Sequence, residues 1–248
     1  MTAENSLREG NLEACLAEVQ QQVRTEPANA RHRIFLFQLL SVLGDWNRAL
    51  TQLNVLSDMD PGSLAMVQTY REALRCELLR SEIFAGKRSP VIFGEPEAWL
   101  AHQMEALRLA AEGHAGKAKE MRDAAFEAAP ATAGTLDGEP FEWIADADGR
   151  LGPVLEVIVN GRYYWAPFHR IREIRLEKPV DLRDVVWTAA QFVWANGGDS
   201  VGLIPTRYPG SEASADSAIL LARRTDWIEQ AEDLLSGLGQ RMLGTDTG

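Results

Sequence analysis

The sequence is poor in the residues on which most covalent and metal chemistry depends. Its 248 residues include two cysteines, Cys15 and Cys76, which lie far apart in stretches that read as helix. A disulfide framework is therefore not expected, and a reducing compartment fits. Four histidines are present, His32, His102, His114 and His169, and no two stand at a ligand spacing such as i, i+4. There is no Walker loop, no GxSxG elbow and no CxxC pair. No catalytic residue, cofactor or metal site is predicted, so the chain is read as a protein that is not an enzyme.

Basic charge is also in short supply. The chain carries 25 basic residues against 36 acidic ones, a formal net charge of -11. Divided at Gly134, it has 14 basic against 18 acidic residues before that point and 11 against 18 from it onward. Neither half hides a basic domain, so nucleic acid and anionic membrane surfaces are not expected partners. No apolar run reaches the 18 or so residues of a membrane span. The opening MTAENSLREGNLEACL lacks the basic start and apolar run of a signal peptide, and a cytoplasmic location is expected.

What is present is the composition of a chain with a core, 46% hydrophobic and 25% charged. Its strongest internal pattern is written in glycine and proline. Gly10, Gly44 and Gly113 are each followed 17 residues later by a proline, Pro27, Pro61 and Pro130. The first two units lie 34 residues apart at every marker, which is the tetratricopeptide period. In GDWNRAL, Gly44 frees the backbone for a left-handed turn, Trp46 supplies a large apolar cap, and Ala49 lets two helices approach. Pro61 stops the second helix. The middle unit, about residues 30–63, resembles a complete repeat, and its RIFLFQLLSVL segment is apolar nearly all round, as suits the centre of a stack. The first unit reads as a degenerate cap and the third, roughly Ala98 to Pro130, as tetratricopeptide-like. Between them SLAMVQTYREALRCELLRSEIFAG reads as one long helix, with Leu64, Val67, Tyr70, Leu74, Leu78 and Ile83 along one stripe. KRSPVIFGEPEA then breaks it.

After Pro130 the period changes from helical to two-fold. ATAGTLDGEP marks a boundary, which places a helical domain over 1–133 and a β-rich domain over 134–248. Asn160-Gly161 inside VLEVIVNGRYYWAPF predicts a two-residue hairpin. IREIRLE is a further strand, a second hairpin passes through Gly197 and Gly198, and SAILLAR is a candidate strand. The predicted fold class is α+β, helical repeats followed by a twisted antiparallel sheet or a partly closed barrel. Five of the seven tryptophans, Trp143, Trp165, Trp187, Trp194 and Trp227, fall in this half. They read as core builders, with one or two available to a partner. His169 in WAPFHRIRE is the best lone candidate for chemistry beside Arg170 or Arg172, but no second catalytic group can be named for it, and a structural role is preferred. DADGR, residues 146–150, lacks the later ligands of a calcium loop and reads as a turn.

RLEKPVDLRDVVW, GLIPTRYPGS, RRTDW and GLGQRML follow the degenerate repeats in that order. On these segments the chain resembles the ImpE family, also called TagJ, accessory proteins of bacterial type VI secretion systems. The resemblance implies a non-catalytic protein that binds the N-terminal helical segment of the small subunit of the contractile sheath. It also implies modulation of sheath assembly, or an indirect link to the sheath-recycling ATPase. A stack of helical repeats suits that role, because its groove can take the apolar stripe of an amphipathic helix. Arg207, Tyr208, Asp226, Trp227 and Arg241 are candidate partner-binding residues within the quoted segments, the alternative being that they tie strands and turns together. The 34-residue period alone equally fits a general repeat-containing chaperone or scaffold of another pathway.

Overall fold

Three glycines shape the first half of the molecule. Gly10, Gly44 and Gly113 adopt φ of 78°, 71° and 82°, the left-handed region in which a Cβ is strained. Each sits in the turn of a helix pair: α1 (Ala3–Arg8) with α2 (Leu12–Thr25), α3 (Ala30–Val42) with α4 (Trp46–Met59), and, after the lone helix α5 (Leu64–Phe84), α6 (Ala98–Ala111) with α7 (Ala115–Ala128). The next residue starts the returning helix, since the Asn11 and Asp45 side chains accept from the Ala14 and Arg48 amides. Pro27, Pro61 and Pro130 each fall two residues beyond the end of the second helix. Ala49 is fully buried where α4 meets α3, and every residue of α3 from Leu36 to Val42 is buried. The first helix of the opening unit has six residues.

The computed structural model describes residues 2–231 and 233–248. Along α5 the buried face differs from the predicted stripe. Leu64 and Leu78 are 43% and 49% exposed, while Val67, Tyr70, Ala73, Leu74, Cys76, Glu77, Arg80 and Ile83 are buried. Val67, Tyr70, Leu74 and Ile83 of the stripe do turn inward, and the face they share also includes a glutamate and an arginine.

Residues 85–97 leave α5 and run along the sheet. The second half opens with β1 (Gly134–Leu136), β2 (Glu139–Phe141) and β3 (Ile144–Asp146). β4 (Val154–Val159), β5 (Arg162–Pro167), β6 (Ile171–Leu176), β7 (Trp187–Trp194) and β8 (Asp199–Pro205) build the central antiparallel sheet in the order β5-β4-β8-β7-β6. It stays open and does not close into a barrel. Asn160 and Gly161, with φ of 50° and 71°, make the predicted tight turn between β4 and β5. SAILLAR is not a strand: Asp216 caps a short helix, α8 (Ser217–Leu220), by accepting from the Ala218 amide. Ile219, Leu220 and Leu221 are all buried, which consecutive positions on a one-faced strand could not achieve. β9 (Thr225–Ala231) pairs with β10 (Leu234–Gly239), and β11 (Leu243–Thr245) returns to β3.

One core passes from the helices into the sheet. Trp187 lies 6.2 Å from Trp46 and 5.5 Å from Tyr70 between ring centroids, and Trp165 lies 6.1 Å from Phe84. Trp165 and Trp187 are fully buried, and each removes on the order of 200 Å² of side chain from water. Trp194 is also buried, against Phe93 and Phe192, whereas Trp143 and Trp227 stay 43% and 39% exposed.

Candidate functional site

The inward face of α5 carries charge into this core. Glu77 and Arg80 are spaced i, i+3 and are both buried. The Arg80 guanidinium meets Glu156 of β4 with Nε to Oε1 at 2.6 Å and Nη2 to Oε2 at 2.8 Å, and its Nη2 also donates to the Arg207 carbonyl. Glu77 accepts from the indole nitrogen of Trp187 at 2.9 Å. From the other side Arg241 donates to both Glu156 and Asp146. Tyr163 donates its hydroxyl to Glu156 and accepts from Trp165. Asp148 accepts from Arg150 and from the Gly237 amide, so DADGR is a turn whose two aspartates are buried and ion-paired.

Every charge in this seam has a partner of opposite sign, and the low dielectric makes that pairing obligatory. Burial resists ionisation of Glu156, yet Arg80 and Arg241 outweigh it and hold its carboxyl down to about 2. Burial dominates at Asp146 and lifts it to about 6 in spite of Arg241. Glu77 is also raised by burial, which the Arg80 charge only partly offsets.

The five candidate contact residues divide between interior and surface. Arg207 is 4% exposed, and burial lowers its guanidinium to about 10. It donates to the carbonyls of Val42 and Leu220 at 2.8 and 2.6 Å, and to Ser41 at 3.4 Å, capping the C-terminal ends of α3 and α8. Tyr208 is fully buried, and its hydroxyl exchanges hydrogen bonds with the backbone of Met242. The Arg241 side chain is 6% exposed and lies over the Tyr208 ring. Arg207 thus ties the second half to the helices, while Tyr208 and Arg241 join segments within the second half. Trp227 stands on β9 tilted against Tyr208, its ring centroid 5.7 Å away, and is partly open to solvent. Asp226 beside it is exposed and paired with Arg224.

His169 faces Glu97 at 2.9 Å, and the same Glu97 oxygen accepts from Arg170. Together with Arg170 bonds to the carbonyls of Phe93 and Glu95, this fastens residues 93–97 to the sheet. Among the described residues no cluster of histidine, cysteine, aspartate and glutamate is arranged to hold a metal ion, and no helix is long and apolar enough to cross a membrane.

Sequence comparison bears on what this seam belongs to. The family model described as ImpE protein matches residues 138–248. The type VI secretion system accessory component TagJ of Pseudomonas aeruginosa is 51% identical over 250 aligned positions, covering 100% of this chain and 87% of that protein. The chain belongs to the ImpE family. A crystal structure of a Vibrio parahaemolyticus protein superposes with a TM-score of 0.89 at 23% identity, covering 98% of this chain and 91% of that one. That likeness shows the fold alone.

The matched ImpE segment contributes Asp146, Asp148, Glu156 and Arg241 to the seam, and α5 contributes Glu77 and Arg80. Sequence reading overlooked Glu77, Arg80 and Glu156. The signals were small: two charges falling on an otherwise apolar helical face, and one glutamate inside VLEVIV, all six residues of which are buried.

Proposed function

We propose that this protein is a non-catalytic accessory component of a type VI secretion system, that it acts in the cytoplasm, and that it holds the N-terminal helical segment of the sheath small subunit. The observation that carries this reading is the 51% identity along the whole chain to an accessory component of that system. The helical pairs supply the kind of surface on which an amphipathic helix lays its apolar stripe. Part of that surface is already occupied, because Trp187 and residues 182–185 pack against the α3 and α5 side. The free apolar positions on the long helix are Leu64 and Leu78, four turns apart. In the second half Trp227 and Asp226 are the candidates with side chains open to a partner, and we assign the contact to them. By holding that segment the protein modulates sheath assembly, or its disassembly by the recycling ATPase.

The test is a pull-down with the intact sheath small subunit and with a version lacking its first helix. Binding by the intact subunit alone supports helix capture. Equal binding by both removes that model, and binding by neither leaves a general scaffold of another pathway as the better reading.

A further inference from the structure

The two edges of the central sheet are treated differently. Outside β5, residues 91–93 form a strap: the Phe93 amide donates to the Trp165 carbonyl and the Trp165 amide to the Val91 carbonyl, both at 2.9 Å. Outside β6, no described residue pairs. This open edge carries Arg172, Glu173, Arg175 and Leu176 exposed, with Leu176 62% accessible.

The register shows which backbone groups point outward. Glu177 donates its amide to the Ala189 carbonyl, so its backbone faces β7. By the alternation of an antiparallel ladder Arg175 faces β7 as well, while Ile174 and Leu176 turn their amides and carbonyls to solvent. Arg172 is the extra residue of a bulge between Ile171 and Glu173. Ile174 is therefore the centre of the regular part of the open edge.

We propose that β6 pairs antiparallel with β6 of a second copy about a two-fold axis at Ile174, joining two central sheets into one. In that register Ile174 lies opposite Ile174 in a hydrogen-bonded pair. Glu173 lies opposite Arg175 of the other copy on both sides of the axis, in the non-hydrogen-bonded positions where side chains approach most closely. Glu173 and Arg175 already meet within one strand, Nε to Oε1 at 2.7 Å, and remain 45% and 67% exposed. The two-fold turns these pairs into a cluster of four alternating charges. A register centred on Glu173 or on Arg175 would instead set like charges face to face. Charges on an open edge discourage pairing with a stray apolar strand, and here their order admits this strand itself, as an isologous contact requires. The interface is small, so it forms as a concentration-dependent equilibrium between monomer and dimer.

Sedimentation equilibrium of the full chain over a concentration series, with Glu173→Arg, Arg175→Glu and the double variant, tests the proposal. The unmodified chain dimerises reversibly, and each single reversal weakens dimerisation roughly tenfold because it acts twice per interface. The double variant restores dimerisation, since the two signs only exchange places. A chain that stays monomeric at every concentration overturns the proposal. So does a dimer that ignores the single reversals, or one that the double variant fails to restore.

Discussion

Arg80 and Glu156 are joined by two near-parallel hydrogen bonds of 2.6 and 2.8 Å that bolt the long helix to the second strand of the central sheet. Both side chains are buried, so removing one leaves the other charged in a medium that cannot solvate it. Arg80→Ala is expected to lower unfolding free energy by about 3–5 kcal/mol, read by denaturant titration. A loss below about 1 kcal/mol would mean that the pair is not desolvated as described.

The acidic members of the seam make stability depend on pH in two directions. Asp146 titrates at about 6 in the folded chain against an ordinary 3.8. Between those values the folded state keeps a proton that the unfolded state has released, so this contribution declines as pH rises through that window. Glu156 is the reverse: held at about 2 against 4.5, its contribution is complete above pH 4.5 and is lost as pH falls toward 2. Asp146→Asn should flatten the upper limb only. Melting temperatures from pH 4 to 7 for both proteins check this, and an unaltered slope in the variant would count against it.

Arg207 acts on the ends of two helices. Arg207→Ala strands the buried carbonyls of Val42 and Leu220, at a cost of about 2–4 kcal/mol, given ~1.5–3 for a hydrogen bond to a charged group. Arg207→Lys is expected to recover only part, because an ammonium lacks the fork that reaches both. Thermal unfolding of the two variants decides it. Equal stability of all three proteins would show that the guanidinium is not engaged there.

Trp227 and Asp226 should behave in the opposite way. Both are exposed, so Asp226→Ala is expected to change stability by about 1 kcal/mol or less, and Trp227→Ala by about 1–2 kcal/mol because it also loses its packing on Tyr208. The tryptophan variant should lose most binding to the sheath small subunit, as a half-exposed aromatic anchor does. Calorimetric titration with that subunit is the measurement, and unchanged affinity would remove Trp227 from the contact.

Backbone punctuation was legible along the chain because its causes are local. Gly10, Gly44 and Gly113 announce left-handed turns by lacking a Cβ, and Asn160-Gly161 announces a hairpin for the same reason. SAILLAR misled because five apolar residues in a row fit either period, and the deciding cap, Asp216, lay outside the run. The long helix misled in a different way. Its leucines mark an apolar stripe, but Glu77 and Arg80 are drawn inward by partners more than 70 residues away.

The order of residues by itself determined where the paired helices of the first half turn and stop, where the period turns from 3.6 to 2, and which family the ordered C-terminal segments resemble. Tertiary structure alone decided that Arg207, Tyr208 and Arg241 lie inside while Asp226 and Trp227 lie outside. It also decided that Asp146, Glu156, Glu77 and Arg80 form one seam. The reason is electrostatic: a charged side chain enters a core only where opposite charges and hydrogen bonds from distant segments converge on it. That convergence is a property of the folded arrangement, and no local spacing records it.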